Sequence, residues 1–158
     1  MKKLSFFIAA LALAFTACDS AESLTKDGVK ALNEGNYQAA VENFNKAIEK
    51  DPQNAIEATR MLGLCYADSL AGEKDNKKAF GYFTTAAEAG DTIALYRLGR
   101  AYDLGLGTLQ DNAKAVEYYS KAAELGNPDA MAKMAFLLYN GYQGVTKDEA
   151  KAVEYAKA

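Results

Sequence analysis

Cys18, Cys65 and the Ser23/Lys26 pair are the residues of this 158-residue chain whose types could do covalent chemistry. No histidine occurs in the sequence. Serine-histidine and cysteine-histidine catalysis and histidine-ligated zinc are therefore excluded, since the usual general base and the commonest metal ligand are missing. "SLTK" at 23–26 has a Ser-x-x-Lys spacing, but it stands at a helix start, without accompanying motifs, and its match is fortuitous. Gly105 and Gly107 lack the third glycine and the strand-to-helix setting of a nucleotide-binding loop. No pair of carboxylates has an identifiable perturbing neighbour. No catalytic residue, cofactor or metal is expected.

The two cysteines lie in different settings. Cys18 follows Lys2, Lys3 and the 14-residue apolar run from Leu4 to Ala17. A membrane-spanning helix needs about 20 apolar residues, so residues 1–17 have the form of a signal peptide. "FTAC" at 15–18 resembles a bacterial lipobox, with Phe15 where that motif usually has Leu. The resemblance implies that Cys18 is acylated, that residues 18–23 form a short tether, and that the domain faces the periplasm on a lipid anchor. Asp19 resembles the signal that holds enterobacterial lipoproteins in the inner membrane. Simple secretion after a cut near Ala14 is the alternative. Cys65, in "LGLCY", falls in an apolar helix and is expected to be an inert core residue.

The full sequence has 18 basic and 21 acidic residues; without Lys2 and Lys3 it has 16 against 21, a formal charge of −5. That balance argues against nucleic acid as a partner.

What would position any functional residue is a repeat. Ala94, Leu98, Gly99, Tyr102, Ala115, Tyr118, Ala122, Ala123 and Gly126 each have an identical residue 36 positions earlier, from Ala58 to Gly90. A forward step of 36 reaches Ala130, Met134, Ala135 and Leu138, and a step of 37 reaches Lys151, Ala152, Val153 and Tyr155. Such a period marks an all-α solenoid of antiparallel helix pairs, an α-α superhelix whose units each need a neighbour. Local signals agree. Asp91 and Asn127 can cap first helices, Pro128 suits a first helical turn, and Gly90 and Gly126 suit helix ends. Thr146 with Glu149 forms a possible capping box for the last helix. Copy one has "DSLAGEKD" where copies two and three have the glycine turns "DLGLGTLQD" and "NGYQGVTKD".

Residues 24–54, with Gly28, Gly35, Tyr37, Ala40, Phe44, Ala47 and Pro52, resemble a tetratricopeptide repeat. From residue 58 onward, "A-x-x-x-L-G-x-x-Y", a turn, and "K-A-x-x-Y-Y/F-x-x-A-A-x-x-G" resemble the Sel-one-like repeat, at 58–90, 94–127 and, incompletely, 130–158. Tyr82, Tyr118 and Tyr155 stand where that family often has tryptophan. The resemblance implies a non-enzymatic module for protein–protein interaction. Some cysteine-rich relatives are linked to penicillin binding or hydrolysis, but the paired cysteines of those relatives are absent here.

Comparing copies separates two stripes on the first helices. Ala58/Leu62/Tyr66, Ala94/Leu98/Tyr102 and Ala130/Met134/Leu138 stay apolar and are expected to be core. The stripe offset by two residues, about 200° around a helix, changes chemistry from copy to copy. It comprises Arg60/Leu64/Asp68, Tyr96/Arg100/Asp103 and Ala132/Phe136/Tyr139. The resemblance to tetratricopeptide repeats implies that these residues, with Thr25, Val29 and Asn33, line a concave groove that holds a protein or peptide. The alternative is an ordinary solvated surface. Lys78, Lys114 and Lys151 are expected on a solvated, salt-paired convex face. Copy three has no polar cap after it, so the Ala150, Val153 and Tyr155 surface carries an expectation of weak self-association.

Overall fold

The computed structural model describes residues 20–142 and 144–157. Within them the chain forms eight helices: α1 Ala21–Asn33, α2 Tyr37–Lys50, α3 Ile56–Ala67, α4 Asn76–Glu88, α5 Thr92–Leu104, α6 Asn112–Glu124, α7 Pro128–Asn140 and α8 Glu149–Lys157. Each odd helix packs on the even helix after it, and each hairpin packs on the next. The architecture is an all-α solenoid of four hairpins. Residues 1–17, expected to be a signal peptide, and Cys18 lie outside the described residues.

Within three hairpins a glycine on the first helix receives an aromatic ring from the second. A Cβ placed on Gly28 would lie 2.5 Å from the Phe44 ring, one on Gly63 2.6 Å from Phe83, and one on Gly99 2.5 Å from Tyr119. All three aromatics are buried. A mid-helix glycine costs about 1 kcal/mol against alanine. Burying a whole aromatic side chain returns about 1.5–3 kcal/mol, which offsets it.

One dipeptide ends a helix and starts the next, inside the first hairpin and at the junctions before α5 and α7. In Gly35-Asn36, Gly90-Asp91 and Gly126-Asn127 the glycine has positive φ, and the following N–H donates back to Ala31, Ala86 and Ala122 respectively. The Asn36, Asp91 and Asn127 side chains then accept from the N–H three residues on, capping α2, α5 and α7. The longer loops inside hairpins close alike: Asp75, Asp111 and Asp148 N–H donate to Tyr66, Tyr102 and Leu138 carbonyls while their carboxylates cap α4, α6 and α8.

Two expectations change, and one substitution between copies finds its structural consequence. Asp148, not Thr146, caps α8: its Oδ1 accepts from Lys151 N–H at 3.0 Å, and the backbone bond to Leu138 places it there. The segment expected as a tether does not reach Ser23, because Ser20 caps α1 at 3.0 Å and Glu22 pairs with Lys26 on its first turns. In copy one, Ser69 takes the left-handed conformation (φ 64°) that Gly105 and Gly141 take in the next two copies.

The apolar first stripe is core. Ala58, Leu62, Ala94, Leu98, Ala130, Met134 and Leu138 are buried, and Cys65 joins them, its thiol pushed up to about 11 by burial and by Asp68. Tyr66 and Tyr102 are half-buried and stack on Tyr82 and Tyr118 at 5.7 and 5.6 Å. Lys78 and Lys114 pair with Asp75 and Asp111, as a solvated face requires, and also lie over the Tyr66 and Tyr102 rings.

Two stability predictions follow from glycine placement. Gly81 is mid-α4, exposed, with open space around it. Gly99→Ala should destabilise the protein by about 1–3 kcal/mol by overpacking against Tyr119, whereas Gly81→Ala should stabilise it by up to about 1 kcal/mol. Urea melts of both variants decide it; shifts of the same sign would refute the interlock. Ser69→Gly should relieve left-handed strain, less the unfolded-state entropy of glycine, for a gain of a few tenths to about 1 kcal/mol. A melting temperature at or below that of the parent protein would show that Ser69 is not strained.

Candidate functional site

The offset stripe does not form one uniform wall. Thr25 is buried, its hydroxyl donating to the Ala21 carbonyl at 2.7 Å, so it is not a groove residue. Val29 is half-buried against the part of the core that includes Phe44 and Leu62, and Leu64 against the part that includes Phe83 and Leu98. Arg60 serves the fold: its Nε donates to Asp91 Oδ2 at 3.1 Å, with only 14% and 15% of the two side chains exposed. An offset of 200° faces away from a helix's own partner, but neighbouring hairpins cover part of that side. Asn33 and Asp68 are exposed at the ends of α1 and α3, and Ala132 is exposed on α7.

The second and third Sel-one-like copies hold the more concentrated cluster. Tyr96 is half-buried, with its ring 5.6 Å from that of Tyr119 and tilted by 44°. Tyr119 Oη donates to Asp103 Oδ2 at 3.2 Å, and Lys133 Nζ pairs with the same oxygen at 2.9 Å. Lys133 also lies 5.5 Å from the Tyr119 ring centre and 5.9 Å from that of Phe136. Burial, then the Asp103 charge, holds the Tyr119 phenol far above the ordinary tyrosine range, with Arg100 opposing. Tyr119 is thus a fixed donor, not an acid. Phe136 and Tyr139 are 57% and 58% exposed, and Lys147 lies 5.5 Å from the Tyr139 ring centre.

Tyr96, Asp103 and Phe136 therefore converge on Tyr119 and Lys133, two residues the stripe comparison missed. Lys133 carried a signal: Arg97 stands 36 positions before it, a second basic residue at the same place. Arg100 faces the preceding hairpin, where it lines a cleft with Asp68, Lys74 and Arg97. The assembly offers aromatic faces and fixed cations, which suit adhesion to another chain.

Comparison with known proteins defines the class first. The Sel1 repeat model matches residues 9–52, 56–91, 92–127 and 128–158. This chain belongs to the Sel1-repeat family, whose members generally mediate protein–protein interactions on a fold that is typically a non-enzymatic scaffold. The first match takes in the segment that resembles a tetratricopeptide repeat. No match was found among curated protein sequences.

Among solved structures, the Sel1 repeat protein from Oxalobacter formigenes is 32% identical over 84% of this chain and 53% of that one, with a TM-score of 0.78. The protein c5321, a protective antigen present in uropathogenic Escherichia coli strains and displaying an SLR fold, is 25% identical over 87% of this chain and 29% of that one (TM-score 0.73). Helicobacter pylori cysteine rich protein B is 25% identical over 70% of this chain and 93% of that one (TM-score 0.52). The chain spans about half the length of the first of these structures and under a third of the second.

Proposed function

We propose that this protein is a lipid-anchored scaffold of the cell envelope that holds a protein or peptide segment against the face formed by α5 and α7. The observation that carries the reading is the exposure of Phe136 and Tyr139 beside Lys133 and Lys147, continuous with the ordered Tyr96–Tyr119–Asp103 group. Large aromatics left in water next to cations are the composition of binding hot spots. Their surroundings are already fixed by hydrogen bonds and ion pairs, which lowers the ordering cost of binding.

The anchor part of the proposal rests on the sequence: Lys2 and Lys3, the apolar run, and Cys18 after Thr16 and Ala17. It makes the domain periplasm-facing, with Asp19 favouring the inner membrane. A second reading, self-association through α8, is supported by Val153, which is 48% exposed, whereas its counterparts Phe80 and Val116 are half-buried against core.

A photo-crosslinker placed at exposed Ala132 in cells should trap a defined partner, and the product should vanish in the Tyr96→Ala, Phe136→Ala double variant. An unchanged set of products in that variant would sink the groove. With the crosslinker moved to Val153, a product of twice the chain's mass is expected if α8 meets another copy; its absence removes the second reading. For the anchor, labelled palmitate should enter the full chain and disappear with Cys18→Ala. Label that persists in that variant would exclude Cys18 as the acylated residue.

A further inference from the structure

The repeat allows one cleft to be compared with its own copy. Between α3, α4 and α5 lies a cleft of about 100 Å³, lined by Ala67, Asp68, Lys74, Phe83, Arg97 and Arg100 among others. Moved forward by 36 residues, Ala67, Phe83 and Arg97 become Asp103, Tyr119 and Lys133. There the Asp103 carboxylate fills the space, accepts from Tyr119 and pairs with Lys133, and the cleft is closed. In the first copy the cation remains, but the carboxylate is replaced by the methyl of Ala67 and the phenol hydroxyl by the hydrogen of Phe83.

Arg97 Nε is buried and has no hydrogen-bond partner among the described residues. An unsatisfied donor on a guanidinium away from water is costly, and guanidinium matches a carboxylate by two parallel hydrogen bonds. Lys74 and Arg100 line the same cleft. Asp68, the carboxylate that lines it, is exposed and forms no ion pair with these three cations among the described residues. The unpartnered polar atom at the second cleft, Asn112 Oδ1, is instead an acceptor, with no attraction for an anion. The open volume is well above the roughly 10–15 Å³ that one water needs.

We infer that the cleft between the first two Sel-one-like copies is a binding site for a peptide carboxylate, which takes the place that Asp103 fills in the following copy. The inference rests on the scaffold reading only for the source of the carboxylate: an Asp or Glu side chain, or a chain's C-terminus. It gives the partner a chemistry: an acidic group enters beside Arg97 and Arg100 while apolar residues lie along Tyr96 and Phe136.

The chain has three arginines, Arg60, Arg97 and Arg100, so the side-chain Nε–Hε region of a nitrogen–proton NMR spectrum has three signals, assignable by single Arg→Lys variants. Acetate added to the full chain at constant ionic strength should move the Arg97 and Arg100 signals saturably, while Arg60, already bonded to Asp91, stays in place. An amidated pentapeptide with a central aspartate, an all-alanine pentapeptide with a free C-terminus, and its amidated form then identify the source; the amidated all-alanine peptide should do nothing. The double variant Ala67→Asp, Phe83→Tyr should move Arg97 by itself and abolish the response to added carboxylate.

An Arg97 signal unmoved by acetate overturns the site, and this arm is read on the parent protein, the Arg→Lys variants serving only to assign its signals. A response to acetate but to neither carboxylate peptide overturns the peptide assignment. A response that survives in the double variant overturns the location. Each failure leaves the crosslink at Ala132 unaffected, because that test uses Tyr96 and Phe136 and none of the cations.

Discussion

The interlock of a first-helix glycine with a second-helix aromatic is the constraint on which the rest of this solenoid depends. It sets how close the two helices of a hairpin come, because an added Cβ at Gly28, Gly63 or Gly99 would overlap Phe44, Phe83 or Tyr119. Overpacking of this kind cannot be relieved at a ring held in a close-packed core. The chain supplies its own control. In the fourth hairpin the glycine position is Ala135 and the aromatic position is Ala156, so both partners change together. A methyl on the first helix is compatible with a small residue opposite it, and not with a ring.

Close hairpins alone would not give a fixed stack. Gly-Asn and Gly-Asp dipeptides do that at the junctions before α5 and α7, since the residue that completes one helix end also begins the next helix. Two of these caps are tied to the preceding hairpin as well: Asp91 to Arg60, and Asn127 Nδ2 to the Thr92 carbonyl at 3.3 Å. Breaking one member of such a half-buried pair leaves a charge or a donor without a partner, so the coupling is asymmetric in cost. With the angle between hairpins fixed by these bonds, residues elsewhere on the first helices are released from packing duty and can diverge.

The periodicity made the helices and core legible, because apolar identity at 36-residue spacing survives wherever burial demands it. Less was legible where a residue's role depends on a neighbour from another hairpin. Arg60 belongs to the variable stripe by spacing, yet Asp91, 31 residues away, makes it structural. Thr25 lies in the same stripe, but its hydroxyl satisfies its own helix and turns inward. The Thr146 capping box fails for a related reason: the backbone bond from Asp148 to Leu138 decides where α8 begins, and a four-residue motif contains no information about it. The cluster at Tyr119 joins residues from α5, α6 and α7, which no single helical period brings together.

Variation between copies takes on a different meaning once those neighbours are known. A changed residue whose partners change with it, as Ala135 and Ala156 do, leaves the packing argument closed. A changed residue whose partner stays leaves a physical debt. Between the first two Sel-one-like copies, alanine stands for aspartate and phenylalanine for tyrosine while the basic residue persists, so Arg97 has a buried Nε with no hydrogen-bond partner among the described residues. Folding stability gives no reason to keep a half-buried guanidinium in that state, because a hydrophobic side chain of similar size would avoid the desolvation cost. The arrangement is favourable only if the missing carboxylate arrives with something else, and the free volume lies where it would have to enter.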